Sequence, residues 1–155
     1  TSWTNNIMIN GVSYNYAYKY KLVNTSTTDE YSMVLRLAEQ YLIRAEAEAN
    51  GEGNGINGAI ADLNIIRNRA GLGNTTANDK NSLLSAISHE RQVELFTEWG
   101  DRWLNLKRTG QIDAVMGIVT PLKGGTWNTN YQLYPIPEQQ ILNDPNMTDS
   151  QNPGY

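Results

Sequence analysis

Between Tyr31 and Gly71 the chain reads "YSMVLRLAEQYLIRAEAEANGEGNGINGAIADLNIIRNRAG", two helical patterns separated by a stretch too rich in glycine to continue either of them. In the first, Leu37, Ala38, Tyr41, Leu42, Ala45 and Ala49 recur three or four residues apart and share one stripe, with Asn50 and Gly51 suited to a left-handed C-terminal cap. In the second, Ile56, Ile60, Leu63 and Ile66 or Arg67 line a face that closes at Gly71. Alanines on the first stripe let the two axes approach closely. Antiparallel helices joined by a few residues make an αα-hairpin, the unit of helical repeat proteins. An all-α core is the expectation.

The remaining segments are placed around that hairpin. A chain of 155 residues has the usual length of one domain with one core. Residues 1–30 read as irregular and extended: "INGVSYNYAYKYKLV" alternates Val12, Tyr14, Tyr16, Tyr18 and Tyr20 against smaller or polar partners, which is the period of a strand with one aromatic face in need of a cover. Turn chemistry follows in "NTSTTDEYS". The helical core spans 31–110, with a third helix starting near Ser82 as N-cap and running to Gly100, and a short fourth, "RWLNLKRT", capped by Asp101 and ended by Gly110. Residues 111–155 read as a loop-rich tail, with one helical turn in "PEQQILND".

On the third helix the apolar stripe of Leu83, Leu84 and Ile87 runs on into Glu90, Arg91 and Glu94, so charges stand where core residues belong. Glu90 with Glu94 and Glu94 with Glu98 are like-charged pairs four residues apart, which an isolated helix disfavours by a few tenths of a kcal/mol. Cations must stand opposite. Arg102, Lys107 and Arg108 are the nearest supply, and Arg67 and Arg69 are further members. The reading is a partly buried ion network of Glu90, Arg91, Glu94, Arg102 and Arg108 that locks the third helix to the second and fourth. The competing reading makes Glu90 and Glu94 an acid/base pair for glycoside hydrolysis, but side chains on adjacent turns crowded by arginines leave no room for a sugar.

Composition removes several classes of function. The formal charge of −4 with no concentrated basic face argues against nucleic acid as a partner. Cysteine is absent, which removes disulfides and thiolate chemistry, and His89 is the only histidine, so no metal site or catalytic triad is expected and no cofactor is required. His89 reads as a boundary residue beside the charges. No apolar run approaches the ~20 residues a membrane-spanning helix needs.

Taken in order, "YLIRAEAEANG", "ADLNIIRNRAGL", "ISHERQVELFTEWGDRWLNLKRTG", "LYPIPEQQIL" and "QNPGY" closely resemble the C-terminal part of SusD/RagB-type outer-membrane lipoproteins of Bacteroidetes. Where many members carry Asp in the "RWxDLKRTG" pattern, this chain has Asn105. The resemblance implies TPR-like helical hairpins with long irregular loops, and a chain that is a portion of a larger protein. It also implies a surface-exposed lipoprotein of the outer membrane, held there by a lipid anchor in its N-terminal part. Its implied role is non-enzymatic glycan binding for nutrient uptake, in complex with a SusC-like TonB-dependent transporter. Two alternatives accompany it: a docking portion of the same system that binds no sugar, and a peptide-binding RagB-like protein.

The resemblance carries over no binding residue, so the candidates come from sugar chemistry. Sugar rings stack their C–H faces on aromatic planes and pair their hydroxyls with amides. "GGTWNTNYQ" has that composition in Trp127, Asn128, Asn130 and Tyr131, and Trp3 in "TSWTNN" is a second candidate. The bland alternative folds Trp127 back as a hydrophobic plug, and leaves Trp99 and Trp103 as packing around Gly100.

Overall fold

The structure, a computed structural model, describes residues 3–22, 30–31, 33–147 and 149–155. Most of the turn expected in "NTSTTDEYS" lies outside them. Two compact units divide the chain, Thr1–Arg102 and Trp103–Tyr155.

The first unit opens with an antiparallel β-hairpin, β1 (Thr4–Ile9) and β2 (Val12–Ala17), paired from Thr4 opposite Ala17 to Ile9 opposite Val12. The sequence reading had one strand here. Asn10 and Gly11, at φ 51° and 78°, supply the two left-handed residues of a tight hairpin turn, so the segment before the tyrosines folds back as their partner. The Tyr18 N–H donating to the Trp3 carbonyl at 2.7 Å carries the pairing one step further.

The core of this unit lies among α1 (Leu37–Ala49), α2 (Gly55–Arg69) and α3 (Lys80–Glu94), where Ala38, Leu42, Ala45 and Ala49 meet Ala59, Leu63, Ile66, Leu83 and Ile87. Helix α1 starts six residues later than its pattern suggested. Arg36 is extended, at φ −130° and ψ 136°, and Leu37 lies on the exposed side rather than on the stripe. Both helix ends close with the same motif: Gly51 and Gly71 take left-handed φ, and the residue after each donates back to Ala47 O and Arg67 O respectively. Where α2 crosses α1, Gly58 lies against the buried carboxylate of Glu48, and a Cβ at that position would overlap it.

Helix α3 begins at an Asp79 cap, whose side chain accepts from the Asn81 and Ser82 N–H while Ser82 Oγ accepts from Asp79 N–H, so Ser82 is the third residue of a capping box rather than the cap itself. Its end is at Glu94, not Gly100. Arg36 Nη1 donates to the Glu94 carbonyl at 2.9 Å, satisfying a C-terminal acceptor with a cation, and left-handed Thr97, Trp99 and Gly100 then turn the chain into α4 (Asp101–Arg108).

The second unit, which takes over within α4, holds a helix where a loop was expected, α5 (Ile112–Leu122), with Ile112 buried and Val115, Met116 and Val119 half-buried along the same side. Valines, Gly117 and Pro121 lower its helix propensity, which is why the pattern was obscure. A 3-10 turn (Thr129–Gln132), the short α6 (Glu138–Asn143) and a second 3-10 turn (Pro145–Met147) follow. The tail fastens the extended stretch before α6. Gln151 accepts from Ile136 N at 2.8 Å and donates to Ile136 O at 3.0 Å, Asn152 donates to Tyr134 O at 2.6 Å, and the Tyr155 hydroxyl donates to Leu133 O at 3.0 Å.

Candidate functional site

The row of acids on α3 and beyond it is buried and fully countered. Glu90 faces Arg67 at 3.2 Å, Glu94 is held by Arg36 and Arg69, and Glu98 is held by Lys19 and by Arg36 at 2.6 Å. Arg91 runs the other way, pairing with Glu39 of α1 and, through Nε at 3.0 Å and Nη2 at 2.6 Å, with Asp101 at the start of α4. The cations therefore come from α2 and from the segments before α1, and α4 is tied in by its acid. Among the described residues the cations that pair with Glu90, Glu94 and Glu98 are Arg67, Arg36, Arg69 and Lys19 rather than the expected Arg102 and Arg108; Arg102 makes no ion pair, and the Arg108 guanidinium donates to Asn105 at 2.7 Å. The physical reason is that Arg67, Arg69, Arg36 and Lys19 already answer these acids, while the first turn of α4 offers Arg91 the Asp101 carboxylate, a charge favoured at a helix N-terminus. Glu90 and Glu94 are gripped by arginines and buried, and neither presents a carboxyl group to a sugar. His89 is exposed on α3.

In the second unit the candidates of the 124–132 segment come together around Asp113, in the first turn of α5. One carboxylate oxygen accepts from the Thr129 hydroxyl at 2.6 Å and the Trp127 indole N–H at 2.8 Å, and the other accepts from the Gln132 amide at 2.9 Å. The Thr129 hydroxyl first, then the indole and the Gln132 amide, hold the Asp113 carboxyl below its ordinary pKa. Trp127 sits edge-to-face between Trp103, at 6.0 Å, and Tyr131, at 6.1 Å, and Tyr131 tilts against Tyr155 at 6.4 Å. Asn128 caps the 3-10 turn by accepting from Asn130 N at 2.9 Å, and the Asn130 side chain packs on Gly154. Trp127, Asn128, Asn130 and Tyr131 thus form one tied cluster in which Tyr131 and Tyr155 keep exposed rings. Asp113, which the sequence reading passed over, organises it. An acid in a helix first turn is common enough that nothing in the sequence singled it out.

Trp3 belongs to the first unit, where the Lys19 ammonium lies 4.3 Å from its ring centre. That cation occupies a face a sugar would need. Trp99 is 62% exposed, with its indole N–H donated to the Met33 carbonyl at 2.7 Å. Among the described residues no helix is long and apolar enough to cross a membrane, and no group of three or more His, Asp or Glu side chains is gathered as for a metal ion.

Against known families, the model of the SusD family matches residues 2–155. The chain belongs to the SusD family. It is 35% identical over 147 residues to the starch-binding protein SusD of Bacteroides thetaiotaomicron, an overlap of 91% of this chain and 25% of that protein. Two solved members share the fold: a SusD superfamily protein from Bacteroides vulgatus at TM-score 0.60 and 25% identity, and a SusD-like protein from Bacteroides fragilis at TM-score 0.58 and 29% identity. They cover 72% and 78% of this chain, and in each case 25% of the solved chain is matched. This SusD family chain thus spans about a quarter of the length of these relatives. The predominantly helical fold expected from the resemblance is the one these members have.

Proposed function

We propose that this chain is part of a non-enzymatic carbohydrate-capture protein at the bacterial cell surface, working in nutrient uptake beside a SusC-like TonB-dependent transporter and held to the outer membrane by a lipid anchor. The observation that carries the reading is the 35% identity to a starch-binding protein. The cluster in the second unit is compatible with it: Tyr131 has an exposed ring for stacking, and Trp127, Asn128 and Asn130 hold that ring in place through contacts that need no ligand. Capture of this kind asks only for stacking and hydrogen bonds, so no chemical step enters. Affinity electrophoresis against neutral polysaccharides, beginning with starch, tests it. Retardation by at least one glycan is expected, and migration unaffected by every glycan would remove the reading for this chain.

A second reading, a portion that docks to protein rather than sugar, draws on the run Met33, Val34, Leu35 and Leu37, all exposed, beside the exposed Trp99. An apolar patch anchored by a tryptophan is a common composition for the centre of a protein interface. Co-purification of the transporter with the wild-type chain but not with Leu35→Asp would favour it.

A further inference from the structure

The β-hairpin of the first unit is two-faced. Its register places Asn5, Ile7 and Ile9 opposite Tyr16, Tyr14 and Val12, and because neighbouring side chains alternate, these six share one face while Thr4, Asn6, Met8, Ser13, Asn15 and Ala17 share the other. All twelve residues are exposed. The first face carries two half-exposed tyrosine rings, Tyr14 at 51% and Tyr16 at 42%, together with one amide and three aliphatic side chains. No charged residue occurs from Thr4 to Ala17.

Size narrows what such a face can hold. Two strands of six residues, each rising about 3.4 Å per residue and lying about 4.8 Å apart, make a strip roughly 20 Å long and 10 Å wide, on the order of 200 Å². A stable protein interface needs about 800 Å² from each partner. The strip is too small to hold a second copy or a freely diffusing protein by itself, and its neutrality offers nothing to an anionic or cationic ligand. An uncharged, narrow, extended molecule with alternating apolar and hydroxyl-bearing surface matches its dimensions and chemistry. Tyr14 and Tyr16, two residues apart on one strand, present rings at about 6.8 Å spacing along the strip.

We infer that the face bearing Asn5, Ile7, Tyr14 and Tyr16 is a binding platform for a neutral oligosaccharide, with the two tyrosine rings stacking on successive sugars and the Asn5 amide meeting a hydroxyl. This rests on the carbohydrate reading above and places a sugar contact apart from the Trp127 cluster. The aromatic alternation read from the sequence as a surface in need of a cover then has its occupant, with Ile7 beside Tyr14 and the Ile9–Val12 pair continuing the apolar floor toward the turn.

The test is affinity electrophoresis of the whole chain in a gel containing the polysaccharide that retards the wild type, with Tyr14→Ala/Tyr16→Ala, Tyr14→Phe/Tyr16→Phe and Tyr131→Ala alongside. Loss of two stacked rings is expected to weaken binding roughly tenfold or more, while the phenylalanine pair keeps most of it. Far-UV circular dichroism and melting temperature stay unchanged, because these rings lie outside the helical core. Unaltered retardation of the alanine pair, with wild-type binding intact, would overturn the platform and leave the carbohydrate reading standing. No retardation of the wild type by any glycan would overturn both. A wild type that sediments as a dimer, and as a monomer in the alanine pair, would assign the face to self-association instead.

Discussion

Arg91 carries more connections than its position on α3 suggests, since its one guanidinium answers Glu39 on α1 and Asp101 at the start of α4 while buried beside Glu90 and Glu94. Removing it leaves two acids facing each other across a low-dielectric gap. Arg91→Ala is expected to cost about 3–5 kcal/mol, the usual result of breaking a buried pair from one side. For a chain of this length that is a fall of roughly 10 °C in melting temperature. Arg102→Ala, by contrast, is expected to stay within about 0.5 kcal/mol of wild type, as most surface changes do. Thermal melts of the two variants side by side check both. The sequence displayed the need for these cations without their source: Arg67 and Arg69 were within reach of the pattern, whereas Arg36 and Lys19 reach Glu98 across 62 and 79 residues of chain, a distance at which spacing arguments are silent. Proximity in sequence favoured Arg102 and Arg108, but cations remote in sequence supply the charge.

Two elements behave against their local propensities. In α2, alanine at position 58 would ordinarily strengthen the helix by up to ~1 kcal/mol relative to glycine, yet Gly58 lies where Glu48 of α1 needs the space of a missing side chain. A double-mutant cycle is expected to show it: Gly58→Ala is more harmful in the wild type than in Glu48→Ala, with a coupling of about 0.5–3 kcal/mol measured by urea denaturation. In the second unit, α5 and the 3-10 turn are joined through Asp113. Its carboxyl titrates lower in the folded protein than in the unfolded chain, so its contribution is fully present above the ordinary Asp pKa of about 3.9 and disappears as pH falls through the lower folded value. Hydrogen exchange should therefore find the amides of 129–132 losing protection below about pH 4, and losing it at neutral pH in Asp113→Ala. If exchange there were indifferent to Asp113→Ala, the staple would have no role. Helix α5 itself was illegible in the sequence because β-branched residues, a glycine and a proline masked a stripe that only the packing of Ile112 and its neighbours makes plain.

For the whole molecule, the helical hairpin was legible because burial imposes a period on α1 and α2, and Leu42, Leu63 and Ile66 are as deeply buried as that period requires. Leu63→Ala should accordingly lose about 2–5 kcal/mol in chemical denaturation. Family membership was legible for a different reason: the segments from "YLIRAEAEANG" to "QNPGY" occur together and in one order, and the family model matches across all of them. The sugar-contact candidates were less legible. A tryptophan among amides has the same composition whether it waits for a ligand or, like Trp127, spends its N–H on Asp113 and packs its ring edge-to-face with Trp103 and Tyr131. The clasp at the end of the chain has a consequence of another kind. Pro135 and Pro137 have no N–H to offer, and Gln151 takes both the N–H and the carbonyl of Ile136, so the extended stretch from Leu133 to Pro137 presents little that a foreign strand could extend. A chain cut before Gln151 leaves both backbone groups of Ile136 without these partners, and the expected outcome is thioflavin-positive aggregation under conditions where the intact chain remains clear.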